Sequence, residues 1–221
     1  MKLLLTSAGV RNPSIEAALE GLLGKPVAES TALCIPTAQY AHPWVGPGEK
    51  PWQFITGRSD GMVGLGWKSM GVLELTALPS IDKDLWVPKV READALLAAG
   101  GDVLYLAHWM RESGLADLLP TLDIVWVGLS AGSMVLTPRV GEDFVQWRPA
   151  TGGDETLGLV DFAICPHVNG DDQPGNTMAE AHEWAAGIEG PAYAVDDETA
   201  FVVVDGRVEV VSEGQWTLLH E

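Results

Sequence analysis

Residues 122–136 read Leu-Asp-Ile-Val-Trp-Val-Gly-Leu-Ser-Ala-Gly-Ser-Met-Val-Leu. The first six have the apolar, β-branched character of a buried strand, and the stretch from Ser130 to Leu136 can form a helix. Between them, Gly128, Ser130 and Gly132 spell G-x-S-x-G. A serine on a tight strand-to-helix turn is pushed out of the sheet, so that its hydroxyl can reach a substrate carbonyl. Gly128, Ala131 and Gly132 are small enough to let the backbone make that turn. A buried strand feeding directly into a helix also predicts a sheet of the α/β kind.

The rest of the chain repeats the pattern. Strands are expected at Lys2–Thr6, Ala32–Pro36, Val72–Thr76, Ala95–Ala98, Ile124–Val127 and Val160–Cys165. Helices are expected at Pro13–Leu23, Asp82–Glu92, Val103–Glu112, Ser130–Leu136 and Thr177–Ala186; Asn12 is a candidate cap and Pro13 suits a first turn. This alternation predicts a mostly parallel sheet with helices on both faces. The chain ends differently. Phe201–Val204, the Asp205-Gly206 pair and Val208–Val211 predict an antiparallel hairpin, with a last strand near Trp216–Leu219 completing it. The irregular stretch from Thr37 to about Ile55 carries His42, Trp44 and Trp52 and is long enough for a substrate-side or subunit-contact role.

Composition narrows the function. The 221 residues suit a single domain spanning 1–221, and 47% apolar residues can fill its core. A net charge of −18 repels phosphate backbones and anionic lipid surfaces, which argues against nucleic acid and membranes as partners. Cys34 and Cys165 lie in apolar runs without metal-ligand spacing and are expected to be buried thiols. The N-terminal apolar run is too short for a signal peptide, so a cytoplasmic location is expected. The nine tryptophans leave room for a subunit interface, so the chain is expected to be a monomer or homodimer.

A serine hydroxyl is almost inert at neutral pH and needs a base. His167 follows the strand Val160–Cys165 and Pro166, and so stands at a carboxyl strand end, as Ser130 does. Ligands in open α/β sheets bind at that edge. His42 lies in the long irregular stretch, His108 and His182 in expected helices, and His220 beside the C-terminus. An oxyanion needs N–H donors aimed at it. Ala131, at the helix start, offers one, and the turn Ala99-Gly100-Gly101-Asp102 can offer another. An acid should orient His167. Glu142 and Asp143 lie between nucleophile and base, and Asp154, Glu155 and Asp161 are further candidates.

Five segments in order resemble the peptidase E family of serine peptidases, which includes the aspartyl dipeptidases and the related cyanophycinases. They are Thr6-Ser-Ala-Gly9, Cys34-Ile-Pro-Thr-Ala38, Ala98-Ala-Gly-Gly-Asp-Val103, Gly128-Leu-Ser-Ala-Gly-Ser133 and Cys165-Pro-His167. The resemblance implies a class I glutamine amidotransferase-like α/β fold. It implies Ser130 as nucleophile, His167 as base, and Gly101 with Ala131 as oxyanion donors. The acid falls after the nucleophile helix, where Asp143 fits and Glu142 is the adjacent substitute. The chemistry implied is hydrolysis of short peptides without metal or cofactor.

Two departures stand out. Asp102 occupies a position where the family usually has asparagine. Asn176-Thr177-Met178 occupies the place where aspartyl dipeptidases carry a Thr-Arg pair that grips the substrate aspartate. Methionine cannot pair with a carboxylate, so an aspartyl preference is not expected. The rival expectations are a non-catalytic peptide- or ligand-binding protein on this fold and an esterase. Esterases of the α/β-hydrolase type place their histidine late and carry an H-G-G-G segment that this chain lacks.

Overall fold

The computed structural model describes residues 1–41, 48–59, 61–150, 152–170 and 175–221. The strands are β1 (Lys2–Thr6), β2 (Thr31–Ile35), β3 (Ser69–Val72), β4 (Ala95–Ala98), β5 (Val125–Leu129), β6 (Ala163–Cys165), β7 (Ala192–Val195), β8 (Thr199–Val204), β9 (Arg207–Ser212) and β10 (Trp216–His220). The helices are α1 (Pro13–Leu23), α2 (Glu49–Ile55), α3 (Lys83–Glu92), α4 (Val103–Ser113), α5 (Leu115–Leu118), α6 (Ala131–Met134) and α7 (Met178–Ala185). Seven strands form one sheet in the order β3-β2-β4-β5-β1-β8-β9, and β10-β7-β6 form a second. The first five strands of the large sheet run parallel, while β8 and β9 are antiparallel.

Alternation along the central strands divides the core between the two faces. Leu3 and Leu5 of β1, with Leu96 and Trp126, point to the side covered by α3 and α4. Leu4, Leu97, Val125 and Val127 point to the side covered by α1 and Phe54 of α2. Such strands, buried on both faces, are continuously apolar because neither row of side chains meets water. Helix α1 is capped as expected: the Asn12 side chain accepts from the Ile15 N–H at 2.9 Å, and Gly24 closes the helix in the left-handed region.

Some expectations need correction. The strand expected at Val72–Thr76 is instead Ser69–Val72. The Glu74 carboxylate accepts from the Thr37 and Thr76 hydroxyls and the Thr76 N–H, folding the chain into a turn there. The C-terminal hairpin is present as β8 and β9, but β10 does not complete it. It pairs with β7, a strand not anticipated from the sequence. Helix α2 and a 3-10 turn at Thr37–Tyr40 give structure to the stretch read as irregular; His42 and Trp44 lie outside the described residues.

Candidate active site

Three parallel strands end together at the site. The neighbours of β5 are β1 and β4, so Ser130 emerges between the Thr6-Ser7 and Ala99–Gly101 segments. Ser130 has φ 49° and ψ −108°, a conformation costly for a residue with a Cβ. The turn is held on both sides. Ser130 N–H donates to the Thr6 carbonyl at 3.1 Å, while its own carbonyl accepts from Ser133 and Met134 N–H at 2.8 and 2.9 Å. The Ser133 hydroxyl donates to the same Thr6 carbonyl at 2.8 Å. A Cβ on Gly128 would collide with the Gly132 carbonyl, and one on Gly132 with the Ala98 carbonyl. Both glycines are therefore fixed by close approach of backbones.

The glycine turn after β4 sits beside Ser130. A Cβ on Gly100 would lie 3.4 Å from the Ser130 Cβ, and Gly101 adopts φ 132°, tucked against Ala38. Neither the Gly101 nor the Ala131 N–H meets a backbone acceptor among the described residues. Asp102, where the resembling family has asparagine, is buried. Its Oδ1 accepts from the Tyr105 N–H at 2.8 Å as the cap of α4, and its Oδ2 accepts from the Trp147 N–H at 2.7 Å. A carboxylate has acceptors on both oxygens, whereas an amide would turn a donor toward one of these N–H groups. The departure from asparagine thus matches its surroundings.

His167 lies two residues past β6 with φ 59°. Its backbone N–H donates to the Ser7 Oγ at 2.8 Å, and its Nδ1 is 2.6 Å from Oδ1 of Asp197. Ser7 Oγ donates to that same Oδ1 at 3.1 Å, and Arg11 Nη1 lies 3.3 Å from Oδ2. Burial pushes the Asp197 carboxyl up, but the His167 hydrogen bond, the Ser7 hydroxyl and the Arg11 charge outweigh it and hold the group below its ordinary value.

The carboxylate in contact with His167 is Asp197; the expected acids, Asp143 and Glu142, stand elsewhere. Both stand on a 3-10 turn at Glu142–Phe144. Glu142 is exposed and paired with Arg148 at 2.6 Å. Asp143 lines a cavity of about 340 Å³ together with Cys165, Asn176, Glu180, Glu183 and Trp184. Asp154 is taken up by Arg139 and the Gly141 N–H, which hold its carboxyl below the usual value against burial. The Cys165 thiol is pushed up to about 12 by burial, with the charges of Asp143 and Glu180 adding to the effect. Among the described residues, no group of three or more His, Cys, Asp or Glu is arranged to hold a metal ion, and no helix is long and apolar enough to cross a membrane.

The carboxyl-end rule that points to His167 points equally to an aspartate just after the strand Ala192–Val195, a segment for which no strand is expected from the sequence.

The family model of Peptidase family S51 matches residues 3–211. Two solved structures share the fold. A Listeria monocytogenes EGD-e protein assigned to peptidase E is 18% identical, with 96% of this chain and 98% of that one covered and a TM-score of 0.68. A peptidase from an acI-B1 actinobacterium is 20% identical, with 99% and 90% covered and a TM-score of 0.68. No curated protein matches the chain.

Proposed function

From the premise that the chain belongs to peptidase family S51, we propose that it hydrolyses short peptides with Ser130 as nucleophile, His167 as general base and Asp197 as the acid that orients the base. The observation that carries this reading is the 2.6 Å contact between His167 Nδ1 and Asp197 Oδ1, made beside the strand end that also holds Ser130. With Nδ1–H directed at Asp197, Nε2 is left as the basic nitrogen. Ser130 Oγ attacks the scissile carbonyl as Nε2 takes its proton. The oxyanion that forms is met by the Gly101 and Ala131 N–H groups. Collapse breaks the C–N bond, with Nε2 returning the proton to the leaving amine. Water then attacks the acyl-enzyme with the same base, which releases the acid and restores Ser130.

We further propose that acidic residues are not preferred. Met178 stands where an aspartate-gripping arginine would be, and the cavity beside Cys165 carries Asp143, Glu180 and Glu183, which oppose a second negative charge. A dipeptide and tripeptide library screened with wild type and Ser130→Ala tests both claims. Cleavage of neutral or basic peptides by wild type alone is expected. Turnover that survives Ser130→Ala removes the serine assignment, and a strict preference for aspartyl peptides removes the specificity claim.

A further inference from the structure

Ser7 is not part of the proposed triad, yet it touches two members of the site. It is fully buried and follows directly on Thr6, whose carbonyl accepts the Ser130 N–H. Its hydroxyl uses both of its capacities. The oxygen accepts the His167 backbone N–H at 2.8 Å, and the proton goes to Asp197 Oδ1 at 3.1 Å, the oxygen that faces His167 Nδ1. Its own N–H is tied to the Thr199 carbonyl at 3.2 Å, so the side chain leaves a fixed backbone. His167 needs such a hold. Its φ of 59° is uncommon for a residue with a Cβ and persists only where surrounding bonds impose it.

We propose that Ser7 is a positioning residue: one hydroxyl fixes the peptide plane of the base and tunes the carboxylate oxygen that orients its ring. The inference rests on the Ser130–His167–Asp197 reading. Two consequences follow. Without the hydroxyl, the His167 main chain loses the acceptor shown for its strained conformation, and the imidazole is held in its reactive orientation for less of the time. Asp197 Oδ1 also loses a competing donor and becomes a stronger acceptor for Nδ1–H, which favours the imidazolium. Arg11 remains beside Asp197 Oδ2 when the hydroxyl is removed.

The test needs no known substrate. A fluorophosphonate probe loses fluoride as Ser130 Oγ bonds to phosphorus and the serine proton passes to His167, so its labelling rate reports the nucleophile and base. That rate is measured against pH for wild type, Ser7→Ala, Ser7→Cys, Asp197→Ala and the Ser7→Ala/Asp197→Ala double variant, with circular dichroism to confirm folding. Ser7→Ala is expected to label about 10- to 100-fold more slowly, and its acid limb to move to higher pH. Ser7→Cys, which keeps a weak donor, should fall between it and wild type, and serves as the comparison if Ser7→Ala does not fold. In the Asp197→Ala background, the Ser7 change should cost less than it does alone, because one of the hydroxyl's two partners is already gone. An unmoved acid limb with near-wild-type labelling overturns the proposal, as does an equal cost in both backgrounds. Absence of labelling in folded wild type is a separate outcome, which counts against the triad itself.

Discussion

His167 and Asp197 each stand two residues beyond the end of a strand, and those strands, β6 and β7, are parallel neighbours with Cys165 opposite Ala194. The register delivers the proposed base and acid to the same edge. Asp197→Asn should therefore lower turnover of a cleaved peptide by roughly 10⁴-fold, the scale seen when a triad acid becomes an amide. Asp143→Asn and Glu142→Gln should leave kcat within a few-fold of wild type. Steady-state kinetics on the three variants decides between these carboxylates.

Ser130 holds its place on the turn with an unfavourable backbone. Its φ and ψ of 49° and −108° are the mirror image of ordinary extended geometry, which glycine adopts freely. Ser130→Gly should raise stability by about 1 kcal/mol while abolishing activity. Ser130→Ala keeps the Cβ, so it should lose turnover by about 10⁶-fold without that gain. Urea unfolding of the two variants separates backbone relief from loss of the hydroxyl.

Gly132 lies against the Ala98 carbonyl with no room for a methyl group. Gly132→Ala must push β4 and α6 apart, at a cost of about 2–3 kcal/mol. Because the same movement shifts the Ala99–Gly101 segment relative to Ser130, fluorophosphonate labelling should fall in the fraction that remains folded. Thermal unfolding followed by labelling measures both effects.

Asp154 supplies a pH-dependent part of the stability. Its carboxylate, buried against Arg139 at 2.7 and 3.1 Å and the Gly141 N–H at 2.8 Å, is held below its ordinary value. A depressed carboxyl contributes fully above its unfolded value near 4 and loses that contribution as pH falls through the folded value. Asp154→Asn should therefore cost about 1–2 kcal/mol at pH 7. The gap to wild type should narrow below about pH 4, as urea midpoints at the two pH values would reveal.

Local patterns made much of the fold legible. Lys2–Thr6, Pro13–Leu23 and Ala95–Ala98 lie where alternation and capping place them, because each carries its own start, stop and apolar face. The G-x-S-x-G turn was legible for the same reason. Asp197 was not, since its place beside His167, 30 residues earlier in the chain, depends on β7 pairing with β6, and one acidic residue among 31 carries no local mark. The partnership of β10 with β7 was hidden likewise: hairpin logic joins neighbours in sequence, whereas burial of Ala192 and Ala194 draws the last strand to another sheet.

The two sheets share the chemistry unequally. Ser130 and Ser7 belong to the large sheet, whereas His167 hangs from the small one and Asp197 from the link between them. If Ser130, His167 and Asp197 act together as proposed, catalytic competence is a property of the seam. A partial detachment of the three-stranded sheet would separate base from nucleophile while leaving the seven-stranded body intact. Heat or denaturant should silence the protein before far-ultraviolet circular dichroism registers its collapse.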